Sequence, residues 1–198
     1  MIRLRSLLCV LCVALLAACS KPLPQPLHAI DVTWQHPHPA FQLTDASGKA
    51  RSLSDFRDKV VVLFFGYTHC PQVCPTTMAD LAQTMQKLGP DAQKVQVLFV
   101  TLDPERDTPQ VLGKFVPYFD PSFIGLRGDA QATATAAKAF GVNYKKHFEK
   151  NGSYTLDHSD STYLIGVGGK PVWMSRYGQR IDYLADDIRQ LVLAGEED

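Results

Sequence analysis

Residues 59–75 read KVVVLFFGYTHCPQVCP, and this stretch determines the predicted fold. Lys59 to Phe65 is an almost continuous run of β-branched, aliphatic and aromatic residues, which is typical of a strand buried on both faces. Cys70 and Cys74 follow its carboxyl end. Pro75 suits the first turn of a helix, because the amide hydrogen that proline lacks has no partner there. Ligand sites in open α/β sheets favour such a junction, so we predict an α/β fold with a candidate site at the cysteines.

The segments after the cysteines alternate between helix and strand. Thr76 to Leu88 has apolar residues at helical spacing and stops at Gly89-Pro90, which predicts a helix. Val95 to Leu102 is predicted to be a second buried strand. Pro109 to Val116 is predicted to be a helix that ends before Pro117, since the residue before a proline disfavours helix. This order predicts a parallel pair of strands at the centre of the sheet.

The remaining segments predict further hairpins and helices. Asn151-Gly152 is the strongest short-range hairpin signal and predicts an inserted β-hairpin near 143–157. We therefore predict a mixed sheet flanked by helices, with a parallel pair and an antiparallel edge. The other predicted elements are an N-terminal hairpin over 41–53, a strand over 122–126, a helix over 130–140, a hairpin over 161–175 and a last helix over 181–193.

Length and charge limit the number of domains and the classes of partner. The chain has 198 residues, of which 45% are hydrophobic, enough for one sizeable core but short for two full domains. Lys+Arg and Asp+Glu each total 20, so no large field of one sign is available to attract nucleic acid. We expect a single domain without a nucleic-acid partner.

The amino terminus has the layout of a bacterial export signal. Arg3 and Arg5 precede an apolar run over 7–16 that is too short to span a bilayer as a helix. Leu16-Ala17-Ala18-Cys19 resembles the lipobox of bacterial lipoproteins, which implies a signal peptide over 1–18 and a lipid on Cys19. An uncleaved anchor or an ordinary signal is the alternative.

The segment after the lipobox predicts a flexible tether. Three prolines lie between Ser20 and Pro26, and such a composition favours a semi-rigid linker. We predict a tether over 19–40 and a folded domain over 41–198. Cys9 and Cys12 leave with the signal, so Cys70 and Cys74 are the only free cysteines of the mature chain. A disulfide that closes a loop of three residues stabilises little, so a purely structural bridge is a poor explanation of them.

The paired cysteines suit metal binding or thiol exchange. The positive end of the following helix should lower their pKa and favour thiolate, and thiolates select soft ions such as Cu(I). Two thiolates leave such a site short of ligands. His158 is the best candidate to complete it, because it follows the inserted hairpin and precedes a predicted strand. Asp157 is expected to support the site or to act as an outer ligand.

Three separated motifs resemble those of the SCO/SenC family of thioredoxin-like copper chaperones. They are the cysteine motif over 66–75, the acidic loop LDPERDTP over 102–109, and Asp157-His158-Ser159. The resemblance implies a thioredoxin-like fold and one copper ion, Cu(I) or Cu(II), bound by Cys70, Cys74 and His158. It also implies copper delivery to the copper-A centre of cytochrome c oxidase, with thiol reduction through a redox-active Cys70, Cys74 pair.

The resemblance also implies partners and a location. The partners are the copper-A subunit of cytochrome c oxidase and other periplasmic copper chaperones or thiol reductants. The protein would be anchored by its lipid to a bacterial membrane, the inner rather than the outer one, and would face the periplasm. The acidic loop, with Asp103, is expected to contact a partner, to tune the site, or to end in the cap of the next helix, Thr108 or Asp107 before Pro109.

The main rival function is that of a thiol-disulfide oxidoreductase on the same fold. Redox members of the thioredoxin group resemble one another in having two residues between their cysteines and a cis-proline before the facing strand. Here the spacer is three residues and Ser161 takes the proline's place. We expect the other histidines not to bind the metal: His28, His36 and His38 should be solvated in or near the tether, His69 should point elsewhere and His147 should lie on the surface.

Overall fold

The computed structural model describes residues 23–150 and 152–196, and the predicted signal peptide and Cys19 lie outside them. An eight-stranded mixed sheet has the order β1-β10-β9-β4-β5-β6-β2-β3, and β7 and β8 form a separate hairpin. The strands are β1 (Ile30–Asp31), β2 (Gln42–Asp45), β3 (Ala50–Ser52), β4 (Val60–Gly66), β5 (Val95–Thr101), β6 (Ile124–Arg127), β7 (Tyr144–Phe148), β8 (Tyr154–His158), β9 (Thr162–Ile165) and β10 (Val172–Ser175). The α-helices are α1 (Val73–Leu88), α2 (Pro109–Phe119), α3 (Ala130–Ala139) and α4 (Ile181–Glu196).

The centre of the sheet is parallel, as predicted. β4 pairs with β5 in a register that runs from Val60 opposite Val95 to Gly66 opposite Thr101, and β5 pairs in parallel with β6. β9, β10 and β1 extend one side of this centre as antiparallel strands, and the β2–β3 hairpin extends the other. The predicted mixed sheet, N-terminal hairpin and inserted hairpin are therefore confirmed. Because β4 and β5 end together, the cysteine loop and the acidic loop emerge side by side.

Strand β4 divides the apolar core into two layers. All seven of its residues are buried, and its side chains alternate between the faces of the sheet. Val60, Val62 and Phe64 pack in the cluster that contains the apolar faces of α1 and α4. Val61, Leu63 and Phe65 pack on the other face, with alanines of α3. The sheet is thus covered by helices on both faces.

Two helices differ from the sequence prediction at their ends. α1 begins at Val73 rather than Thr76, so Cys74 lies in its first turn. α2 continues through Pro117 to Phe119 instead of ending at Val116. Pro117 has no amide hydrogen, so the helix loses one backbone hydrogen bond. This loss affects only the last turn, because the helix ends two residues later. Its neighbour Val116 is fully buried, and this packing favours continuation of the helix.

The folded domain begins earlier than the predicted boundary at residue 41. β1 pairs with β10, and the buried carboxylate of Asp187 on α4 accepts hydrogen bonds from the amides of Leu27, His28 and Ala29 at 2.6, 3.0 and 2.8 Å. His36, expected to be solvated, is 7% exposed, and its Nδ1 lies 3.0 Å from the carbonyl oxygen of Ala139. Residues 27–36 are therefore part of the domain rather than of a tether. Among the described residues, no helix combines the length and apolar content required to cross a membrane.

Candidate metal centre

Two segments far apart in the chain bring three potential ligands together. Cys70 lies in the loop after β4, Cys74 is the second residue of α1, and His158 ends β8. The ligand atoms of these side chains all lie within 4.8 Å of one another, and Cys74 Sγ is 3.6 Å from His158 Nε2. The structure thus places the three predicted ligands in one cluster.

Gly66 makes room for the buried sulfur. A Cβ atom at this position would lie 2.9 Å from Cys74 Sγ and 3.0 Å from an edge carbon of Phe99. A contact of 2.9 Å is essentially never seen for real Cβ atoms and one of 3.0 Å is unusually tight, so a side chain here would displace the sulfur or the ring. The glycine at the end of β4 therefore lets Cys74 pack directly against the sheet.

His158 is oriented by a hydrogen bond within its own loop. Its Nδ1 donates to the carbonyl oxygen of Ser159 at 2.8 Å, which leaves Nε2 as the lone-pair nitrogen that faces Cys74. A hydrogen bond from the second ring nitrogen is the usual way in which a protein sets the tautomer of a histidine ligand. The ring of Tyr67 packs edge-on against the imidazole, with centroids 5.8 Å apart. The Tyr67 hydroxyl accepts a hydrogen bond from the amide of Leu156 at 3.3 Å, which ties the hairpin to the cysteine loop.

The two cysteines are free thiols with different environments. Cys74 is completely buried, whereas Cys70 is partly exposed. The amide of Cys74 donates to Cys70 Sγ at 3.3 Å. Burial raises the pKa of the Cys74 thiol, so the expectation that the helix terminus lowers it is wrong for this cysteine. Desolvation of the thiolate outweighs the favourable helix end. Coordination of a metal ion by Cys74 must therefore displace the thiol proton.

Asp107 in the acidic loop anchors the cysteine loop. Its buried carboxylate accepts hydrogen bonds from the amide of Thr68 at 3.0 Å, from the Thr68 hydroxyl at 2.6 Å and from the hydroxyl of Thr101. Thr108, not Asp107, caps α2, since its hydroxyl accepts from the amide of Val111. Sequence reasoning treated Asp107 as a candidate cap and missed this role. Asp107 therefore holds the residues that lead into Cys70.

Asp103 acts on the hairpin that carries His158. This fully buried carboxylate accepts a hydrogen bond from the Tyr154 hydroxyl at 2.7 Å and pairs with Arg106. The Arg106 guanidinium stacks over the Tyr154 ring at 3.7 Å, and its Nη1 donates to the Tyr154 carbonyl oxygen at 2.9 Å. Asp103 thus supports the centre indirectly, by fixing the start of β8.

Asp157 does not support the centre as predicted. Its side chain is 77% exposed, and its carboxylate lies 2.7 Å from Nε2 of His147 across the hairpin. Successive residues of a strand point to opposite faces, so Asp157 must face away when His158 faces the cysteines. His147 lies on the surface as expected. His69 also stays outside the ligand cluster, with its half-exposed ring 3.2 Å from the Thr68 hydroxyl.

The donor set fits a soft metal ion. Two sulfur atoms and one imidazole nitrogen are ligands that copper and zinc prefer, and thiolates favour Cu(I) in particular. The mixed sheet with helices on both faces and the cysteines at the start of α1 define the class: a thioredoxin-like domain with a Cys, Cys, His cluster that could hold a metal ion. The family described as SCO1/SenC matches residues 33–193, and the chain belongs to this family.

Relatives and solved structures agree with this assignment. The SCO2 homolog of Bos taurus mitochondria is 34% identical over 157 residues, which are 78% of this chain and 59% of that protein. Copper-bound ScoI of Bradyrhizobium japonicum is 38% identical, with a TM-score of 0.71 over 77% of this chain and 97% of that chain. BsSco, described with a disulfide switch as a member of the Sco family of cytochrome c oxidase assembly proteins, is 23% identical. Its TM-score of 0.63 over 87% of this chain and 99% of that chain supports the fold alone. The thioredoxin-like fold is therefore confirmed.

Substitution of Asp107 by asparagine is expected to weaken copper binding without removing a ligand. The amide cannot accept the same hydrogen bonds, so the loop before Cys70 loosens. Loss of such a supporting partner typically costs about 10- to 100-fold in metal affinity. Asp157→Asn, which changes an exposed carboxylate on the far face of the hairpin, is the matched control and should leave the affinity unchanged. Competition with a chromogenic Cu(I) chelator measures both, and equal affinities for the two variants would contradict the role of Asp107.

Proposed function

We propose that this chain is a periplasmic copper chaperone that binds one copper ion through Cys70, Cys74 and His158 and delivers it to the copper-A centre of cytochrome c oxidase. The observation that carries the proposal is the convergence of three soft ligand atoms within 4.8 Å from two distant segments. Copper in a relative that is 38% identical supports the choice of metal. Membership of the SCO1/SenC family, whose motifs the sequence resembles, supports the choice of oxidase as the partner.

The exposure of the ligands suits transfer of the metal. Cys74 is buried, but Cys70 and His158 are only partly buried, so two of the three ligands can be approached from solvent. A partner's ligand can therefore displace Cys70 or His158 while Cys74 still holds the ion. Three protein ligands also leave copper with an open coordination position at which exchange can begin.

The redox state of the cysteines controls loading. A disulfide between Cys70 and Cys74 would occupy both sulfur ligands, so the pair must be reduced before copper binds. The same dithiol could reduce a disulfide of the copper-A subunit, giving up two electrons and two protons as Cys70 and Cys74 become a disulfide. A thiol reductant in the periplasm would then restore the pair. Thiol-disulfide exchange is thus the second candidate function, and the unlinked thiols of the structure are what favour it.

We place the protein at a membrane through the lipid proposed on Cys19. The lipobox motif supports this anchor, and a partner in the inner membrane favours the inner over the outer membrane. Residues 1–22, which include the motif, lie outside the described part of the chain. Labelling with a radioactive fatty acid in a bacterial host tests the anchor, and a Cys19→Ser variant that still takes up the label would contradict it.

His158→Ala tests the ligand set that the proposal requires. Zinc-finger peptides bind structural Zn²⁺ through four ligands with an apparent free energy of about 10–16 kcal/mol, so by analogy the loss of one ligand here should cost roughly 3 kcal/mol, or about 100-fold in affinity. His147→Ala removes an imidazole from the same hairpin and is the matched control. Anaerobic titration of the reduced chain should give one tightly bound copper for the wild type and the control only.

Mixing of the copper-loaded chain with a metal-free copper-A domain tests delivery. Transfer from the wild type should produce the visible spectrum of the copper-A centre once its cysteines are reduced. If the wild type binds no stoichiometric copper but efficiently reduces the disulfide of that domain, the reductase function replaces the chaperone function. If neither reaction occurs, both proposals fail.

A further inference from the structure

A cavity of about 700 Å³ lies at the opposite end of the sheet from the metal centre. It is lined by the amino end of β4, by the turn between β9 and β10, and by parts of the segments 37–42 and 52–57. The cysteines follow the carboxyl end of β4, so the length of this seven-residue strand separates the two sites. Small-molecule sites commonly have volumes of roughly 300–1,000 Å³. The cavity is therefore large enough for a small ligand and is independent of the copper ligands.

The floor of the cavity is apolar. Phe41 and Phe56 line it from the N-terminal segments, and Val61 and Ile165 line it from the sheet. All four side chains are at least nine-tenths buried, so they are held in place by the surrounding core. A rigid apolar floor favours the hydrocarbon part of a ligand, since each apolar group that leaves water for this surface contributes to binding.

The rim of the cavity is basic. Arg57, Lys59 and Lys170 line it, and none of the residues that line it is Asp or Glu. Within the described chain, these three cations form no ion pair, whereas Lys87 and Lys94 on another surface pair with Asp182 and Glu196. Asp58 lies between two of the cations in sequence but does not line the cavity. The rim thus offers several positive charges to a ligand and no competing carboxylate.

Backbone hydrogen bonds hold the basic segments together. The amide of Gly168 donates to the carbonyl oxygen of Arg57 at 2.9 Å, which joins the β9–β10 turn to the segment before β4. The amide of Lys59 donates to the carbonyl oxygen of Phe56 at 3.0 Å. The backbone positions of the three cations are therefore fixed at one rim before any ligand binds, so that only their side chains remain to be ordered when it does.

We propose that this cavity binds an amphiphilic anion, with a carboxylate or phosphate head at Arg57, Lys59 and Lys170 and an apolar body on the floor. The positive charges of the rim favour binding of the anionic head, and the apolar floor favours binding of the hydrocarbon body. A fatty acid and an anionic phospholipid share this chemistry. The proposal does not depend on copper delivery.

Calorimetric titration of the full chain carrying Cys19→Ser, which removes the proposed lipid attachment, tests the cavity. The probes are decanoate for a fatty acid and dihexanoyl phosphatidylglycerol for a phospholipid. We expect one molecule of at least one probe to bind per chain, and the tighter probe identifies the source of the ligand. The double variant Lys59→Gln/Lys170→Gln should bind it at least about tenfold more weakly, because two charged partners of the head are lost.

A second double variant and simpler probes are the controls. Lys114→Gln/Lys138→Gln removes the same charge from exposed positions outside the cavity and should bind like the parent chain. Decanol, acetate and inorganic phosphate each lack the head or the body and should bind at least about tenfold more weakly than the amphiphile. Equal binding by the two double variants, or equal binding of any simple probe, would overturn the proposal. Copper binding by both variants verifies that they are folded.

Discussion

Replacement of Cys74 by alanine is expected to abolish stoichiometric copper binding. Cys74 is the completely buried member of the cluster and a proposed copper ligand, and its sulfur lies 3.6 Å from His158 Nε2. Removal leaves one thiolate and one imidazole, a donor set with much less preference for Cu(I). We expect the Cu(I) affinity to fall by at least about 1,000-fold, more than for His158→Ala, because the thiolate is the softer ligand. Competition with a chromogenic Cu(I) chelator measures this loss.

Met78→Leu is the matched control for Cys74→Ala. Met78 lies one turn further along α1, is fully buried and also carries a sulfur atom. Its place in the apolar core identifies it as packing rather than as a ligand, so the leucine variant should bind copper as the wild type does. Urea unfolding of both variants separates loss of the ligand from loss of the fold. Retained stoichiometric binding by Cys74→Ala would remove this cysteine from the site.

Substitution of Asp187 by asparagine is expected to give the largest loss of stability among the changes considered. The carboxylate is completely buried on α4 and accepts hydrogen bonds from three successive amides, those of Leu27, His28 and Ala29. Asparagine has nearly the same shape but presents an NH₂ group toward at least one of these donors. Each hydrogen bond to a charged group contributes about 1.5–3 kcal/mol, so we expect a loss of roughly 3 kcal/mol or more in the free energy of unfolding.

Urea unfolding measures this loss. With a denaturant dependence of about 1–3 kcal/mol per molar urea, the midpoint should fall by roughly 1–3 M. Asp186→Asn is the control, because its neighbouring carboxylate is half exposed and has surface partners, Arg189 at 3.4 Å and the His28 ring at 3.8 Å, rather than the three buried amide donors. Such surface pairs contribute about 1 kcal/mol or less. A midpoint for Asp187→Asn no lower than that of the control would mean that residues 27–29 add nothing to the stability of the domain.

The copper centre and the Asp187 anchor should respond independently. Asp187 binds the N-terminal segment and makes no contact with the three ligands among the described hydrogen bonds. Effects of mutations at separated sites without shared partners are usually additive. Asp187→Asn should therefore bind copper normally while folded, whereas Cys74→Ala should lose copper and, as a small truncation in the core, lower the midpoint less than Asp187→Asn does.

The sequence by itself determined the order of the secondary structure and singled out the three side chains that the fold brings together, Cys70, Cys74 and His158. The apolar run over 60–66 specifies a strand buried on both faces, and Asn151-Gly152 specifies the hairpin that ends at His158. The spacing of apolar residues along the chain predicts such elements directly, because side chains on one face recur every second residue in a strand and about every 3.6 residues in a helix. The cysteines were recognisable for the same reason, as they lie at a strand-to-helix junction.

Only the tertiary structure decided how charged and polar groups are used. Asp157 adjoins a ligand in sequence yet faces solvent, whereas Asp107, separated from Thr68 by 39 positions, anchors the cysteine loop. Asp187 lies 160 positions from Leu27, so no local pattern could predict that it binds a segment expected to be a tether. The raised pKa of Cys74 likewise results from burial beneath the hairpin and the sheet. Partners and burial depend on which distant segments pack together, and that choice is made by the whole fold rather than by neighbouring residues.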